Sequence, residues 1–172
     1  MQLRSDTALR ATVKSLTDVV LPAVDPNNGP ALEQLQIAIG LLSLMAERMP
    51  LEFKYDCDEL KRLNEFAQRL REEVTETQEM LGESVRDSDA VLSRAKASPA
   101  EVLAAVRVLR EATSQAVNKV YASGDDDLRQ RVSKLVLSHA DQQVTRERAW
   151  LLPQGWEPNP EKLPTIEHLL EE

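Results

Sequence analysis

The sequence is poor in the residues that most often carry chemistry. Its 172 positions hold one cysteine, two histidines, two tryptophans, two tyrosines, two phenylalanines and five glycines. With Cys57 alone, no intramolecular disulfide can form, and nothing points to an oxidising compartment. A Cys/His zinc site cannot be assembled from this set without carboxylates. The Glu-x-x-His pairs of di-iron bundles are also missing, since Val136 and Thr165 stand three places before His139 and His168. Few glycines and aromatics argue against sandwiches and barrels, which need frequent tight turns and β-rich strands. Neither a Gly-rich phosphate loop nor a Gly-x-Ser-x-Gly elbow occurs. On this inventory no catalytic residue, cofactor or metal ligand is assigned, and the chain reads as a non-enzyme.

A strongly basic segment is absent as well. Residues 1–60 carry 5 basic and 9 acidic groups, 61–124 carry 10 and 10, and 125–172 carry 6 and 10. The footprint of a nucleic-acid binder is therefore missing, and anionic membrane surfaces are disfavoured. Long apolar runs are wanting too. The longest uncharged stretch, Gln34 to Ala46, has 13 residues against the ~20 that span a bilayer. The Met1-Gln2-Leu3-Arg4-Ser5-Asp6 start lacks the basic-then-apolar run of a signal peptide. A cytoplasmic location follows as the expectation.

What is present is helical periodicity. The chain is 42% apolar and 29% charged, with a net charge of −8, which suits an ordinary acidic globular protein. A first helix, capped by Ser5 or Asp6, has the seam Leu9, Val13, Leu16, Val20 and Val24, with a kink or an end expected near Leu21 because Pro22 follows. After Asp25-Pro26-Asn27-Asn28-Gly29, a second helix covers Pro30 to about Met49. Leu32, Leu35, Ile39, Leu42 and Met49 make one stripe, and Ile37, Leu41 and Leu44 widen it nearly all the way round. Such a helix is normally surrounded by others, so it reads as the central one, with Gly40 admitting a close neighbour.

A third helix, capped by Asp56 or Asp58, is expected to reach Gly82 on the seam Leu60, Leu63, Ala67, Leu70, Val74, Thr77 and Leu81, whose steps of three and four suit a bundle. Gly82 then permits a break before a short helix over 87–97. Ser98-Pro99-Ala100-Glu101 combines a cap, a proline in the first turn and the glutamate of a capping box. It opens a helix with Val102, Val106, Leu109, Thr113, Ala116 and Val120 on its seam, ended by Ser123-Gly124 with the glycine as left-handed cap. Asp125-Asp126-Asp127 favours the start of the next helix electrostatically, and that helix carries Leu128, Val132, Leu135, Val136 and His139 on the way to Trp150. Pro153, Pro158, Pro160 and Pro164 keep 152–164 from continuous helix, and one or two turns follow in 165–172. The expected fold is all-α: an antiparallel bundle of five to six helices over 1–150, with a Pro-rich tail over 151–172 packed on it.

Functional readings attach to few residues. His139 could accept a phosphoryl group, but Ser138-His139-Ala140-Asp141 lacks the lysine and glycine such bundles place after the histidine. A core-edge histidine is the favoured reading. Asp56 and Asp58 beside Cys57 would raise its thiol pKa, the opposite of what a nucleophile needs. The wide apolar face is the leading feature, and Ile37, Leu41 and Leu44 with Trp150 and Trp156 form the candidate interaction surface. It suits a homodimer, or a docked protein partner, since obligate interfaces resemble a core cut in half. An apolar or acyl ligand held between the second and third helices is the alternative. Either tryptophan could pin the tail or serve as a docking anchor, with pinning favoured.

Leu16-Thr17-Asp18-Val19-Val20-Leu21-Pro22-Ala23-Val24, a polar break, and then Leu32-Glu33-Gln34-Leu35-Gln36-Ile37-Ala38-Ile39 resemble a bacterial family of uncharacterised helical proteins. Its members are encoded beside aminoglycoside-phosphotransferase-like kinases and acyl-CoA dehydrogenases. The resemblance implies an accessory role near acyl-CoA or phosphotransfer metabolism and supplies no site residues.

Overall fold

A computed structural model describes residues 5–123 and 125–171, which are all-α, without a strand. The helices are α1 (Ser5–Ser15), α2 (Leu21–Ala23), α3 (Gly29–Arg48), α4 (Glu52–Glu73), α5 (Gln78–Leu92), α6 (Pro99–Ser123), α7 (Asp126–Leu151) and α8 (Ile166–Leu169). The chain divides into two compact units, Met1–Glu52 with Arg148–Ile166, and Phe53–Glu147 with Glu167–Glu172. The last four residues of α7 thus belong to the first unit. Gly124, expected as a left-handed cap, lies outside the described residues.

In the first unit, α1 runs into α2 through a π-helical turn at Leu16–Val20. Pro22 has no N–H to offer the carbonyl four residues back, and a π turn re-registers the backbone ahead of it without breaking the helix. The chain then turns at Asp25, whose Oδ1 accepts from the Asn27 backbone N–H at 2.9 Å. Asn28 caps α3 by accepting from the Ala31 N–H at 3.2 Å, and Pro30 occupies the first turn. Arg10 reaches from α1 to the Ala46 carbonyl, at 3.3 Å.

The second unit contains the main core. Every residue expected on the third-helix seam, from Leu60 through Leu81, is buried, as is the whole α6 seam from Val102 to Val120. Their apolar members pack with Val85 and Val132 into one cluster. The Ser98 capping box is formed: the Ser98 backbone N–H donates to Glu101 Oε2 at 2.8 Å, and the Glu101 N–H donates back to Ser98 Oγ at 3.3 Å. Asp125 Oδ1 accepts from the Leu128 N–H at the start of α7.

Contacts between α4 and α7 descend in number on one helix as they rise on the other. Asp58 meets Arg146, Arg62 meets Gln143, Phe66 meets His139 and Glu73 meets Arg131.

Three expectations are corrected. The long third helix is two helices, because Val74 turns extended and Thr75–Thr77 forms a 3₁₀ turn; Gly82 is no break but a buried position inside α5. That α5 spans 78–92 rather than 87–97. Neither Asp56 nor Asp58 is an N-cap, since α4 already begins at Glu52 and both lie within it.

Candidate functional site

α3 is not enclosed: Leu44, Ala46 and Arg48 are its only buried residues. Ile37, Leu41 and Met45, four residues apart, are 46%, 47% and 56% exposed, so one apolar stripe of α3 meets solvent. Leu44, expected on that surface, points inward instead, at 9% exposure. Among the described residues α3 is also the one helix long and apolar enough, at a mean hydropathy of 1.2, to cross a membrane by length and composition.

The two tryptophans part ways. Trp150 is half-buried, and the Arg48 guanidinium lies 5.7 Å from its ring centroid. Arg48 also donates from Nε to the Trp150 carbonyl at 2.9 Å and from Nη2 to the Ala149 carbonyl at 3.3 Å. A buried cation thus satisfies the orphan carbonyls at the C-terminal end of α7, where the helix dipole favours positive charge. Trp156 is 69% exposed and buries little. The tail is held by its neighbours: Gln154 Nε2 donates to the Gly40 carbonyl at 3.0 Å, and Glu157 receives a two-pronged ion pair from Arg148. Gly40 has the near neighbour expected of it, since Gln154 Oε1 stands 3.5 Å from where a Cβ would lie.

A second feature lies in the second unit, where α4, α6 and α7 enclose an open cleft of about 540 Å³. The side chains facing it recur at helical spacing: Glu59, Leu63 and Phe66 on α4, Arg110, Ser114 and Val117 on α6, and Val136, His139, Gln143 and Glu147 on α7. Leu63, Phe66, Val117 and Val136 supply an apolar floor, while Glu59, Arg110, Gln143 and Glu147 supply polar groups. Arg110 is paired with Glu59. Gln143 accepts from Arg62 Nη1 at 3.0 Å and donates to Glu147 at 2.9 Å.

His139 stacks on Phe66, with centroids 4.7 Å apart and planes 11° from parallel. Burial, then the nearby Arg62 and Arg110 charges, push its imidazole below the usual histidine range, which leaves it neutral at pH 7. This is the geometry of a core-edge histidine. At the Glu59 and Glu147 end, burial pushes the Tyr55 phenol up to about 12, helped by the Glu59 and Glu147 charges.

Behind the stack is a buried ion cluster. Asp58 Oδ2 accepts from Arg62 Nε at 2.7 Å and from Arg146 Nε at 2.9 Å, and Arg146 Nη2 donates to the Leu169 carbonyl of α8 at 3.3 Å. Cys57 is half-buried, with its thiol pushed up by burial and by Asp56. Among the described residues no three His, Cys, Asp or Glu side chains converge as metal ligands.

The sequence reading did not find the cleft. Its polar members look like surface residues one at a time, and only the 136, 139, 143, 147 spacing on α7, facing 59, 63, 66 on α4, carries the signal. No family model matches the chain, and neither a curated protein nor a solved structure is significantly similar to it.

Proposed function

We propose that this chain is a non-enzymatic, cytoplasmic helical interaction protein that pairs with a second copy of itself through the exposed stripe of α3. On this reading α4 to α7 form an antiparallel bundle that serves as scaffold, and the Pro-rich tail braces α3 through Gln154. The observation that carries the proposal is the solvent exposure of Ile37, Leu41 and Met45 on a helix with three charged residues in twenty. The stripe is self-complementary: about a two-fold axis at Leu41, Ile37 of one copy meets Met45 of the other. One helix face buries less than the roughly 1,200 Å² of a standard interface, so the expected dimer is reversible, in the micromolar range.

Disulfide trapping tests the pairing. In the Cys57→Ser background, Leu41→Cys should cross-link rapidly under copper-phenanthroline, whereas Glu33→Cys on the same helix should not. Equal rates at both positions would refute the proposal. Co-sedimentation with zwitterionic lipid vesicles without cross-linking would show that the stripe meets lipid rather than a second copy.

A further inference from the structure

We propose that the cleft between α4, α6 and α7 binds a small organic cation with an apolar body, such as an aryl or alkyl quaternary ammonium or amine. The volume, about 540 Å³, falls in the range of small-molecule sites. Its charge pattern selects the ligand. Glu59 and Glu147 lie at one end of the lining with Arg110 beside Glu59, while the Arg62 and Arg110 charges act on His139, so the cationic group of a ligand belongs at the Glu59–Glu147 end and its apolar body on the floor.

The two carboxylates differ in availability. Glu59 has a side chain 12% exposed and is engaged by Arg110, whose own side chain is 59% exposed and able to swing out to solvent. Glu147 is exposed, and its one partner among the described residues is the Gln143 amide, not a cation. It is the carboxylate ready to receive a positive group.

The floor fits the other half of such a ligand. Phe66, 8% exposed and stacked on His139, adds apolar surface to the floor rather than an open ring face. Leu63, Val117 and Val136 complete an apolar bed for a hydrocarbon or aryl group. An anionic acyl or phosphoryl ligand would place its charge among two carboxylates and is disfavoured by the same pattern.

The test uses the full chain labelled with ¹⁵N and titrated with benzyltrimethylammonium, with benzoate and benzyl alcohol as probes of similar size and different charge. The cation should produce saturable amide shifts that cluster at 114–118 and 139–147, and benzoate should produce none at the same concentrations. Glu147→Gln should weaken the cation by roughly 1.5- to fivefold, the size of one exposed charge contact. Arg110→Gln removes the competitor for Glu59 and should tighten it by a similar factor. Both side chains are exposed, so the fold is expected to survive, and unchanged far-UV dichroism checks this. Absence of saturable shifts with the wild-type chain, equal binding of benzoate, or weaker cation binding in Arg110→Gln overturns the proposal. Equal binding of all three probes reduces the cleft to a non-selective apolar depression and equally overturns it.

Discussion

Asp58→Ala is the most informative single perturbation of the second unit. One carboxylate oxygen of Asp58 serves two guanidiniums, at 2.7 Å from Arg62 Nε and 2.9 Å from Arg146 Nε. The arginine side chains are 6% and 8% exposed, and that of Asp58 13%, so solvent cannot replace the lost anion well. Removing one partner of a buried ion pair costs about 3–5 kcal/mol. Arg62 keeps Gln143 and Arg146 keeps the Leu169 carbonyl, so the low end, about 3 kcal/mol, is the expectation. For a chain of this length that lowers Tm by roughly 6–12 °C. The assay is urea unfolding at pH 7, followed by far-UV dichroism, with the slope m compared as a check on cooperativity. A partner variant sharpens it. Arg146→Met in the Asp58→Ala background removes one stranded charge while retaining apolar bulk, and should recover part of the loss rather than add to it. A loss below about 1 kcal/mol for Asp58→Ala, or simple additivity in the double variant, would refute the cluster as a structural element.

Three further outcomes follow from local geometry. Gly40→Ala should stabilise the first unit by about 0.5–1 kcal/mol, since a Cβ meets only the flexible end of Gln154 in a helix interior; a lowered Tm would contradict this. Ser98→Ala should cost about 1 kcal/mol by removing the α6 cap, and a neutral result in thermal melts would contradict the capping role. His139 has a folded-state pKa below its unfolded value, so the unfolded chain binds the proton more readily. Stability is full above the unfolded pKa near 6.5 and falls as pH drops toward the folded value; His139→Phe should flatten Tm between pH 7.5 and 5.5, and an unchanged slope would remove the imidazole from the account.

Helix positions were largely legible because apolar spacing reports which face is buried. The run Leu60 to Leu81 shows the limit of that signal. Its period passes through Val74 and Thr77 undisturbed, yet the helix is broken there. Thr77 remains buried because its hydroxyl bonds the Leu70 carbonyl at 3.2 Å and the Val74 carbonyl at 2.7 Å, so a polar residue closes the turn on the core side. Periodicity records a common face, not a continuous backbone. The apolar circumference of α3 misled in the opposite direction, since composition cannot distinguish a helix enclosed by others from one with a face left exposed. The cleft went unread for a third reason: it depends on three helices converging, and the polar side chains each contributes are ordinary for an exposed surface.

Sedimentation velocity of the wild-type chain and Leu41→Glu, over loading concentrations that span the micromolar range, tests self-association most directly. Wild type should move from a 19.3 kDa monomer toward twice that mass, and Leu41→Glu should remain monomeric at every concentration with an unchanged dichroism spectrum. A wild-type chain monomeric throughout, or a variant that dimerises equally well, would contradict the role given to the α3 stripe.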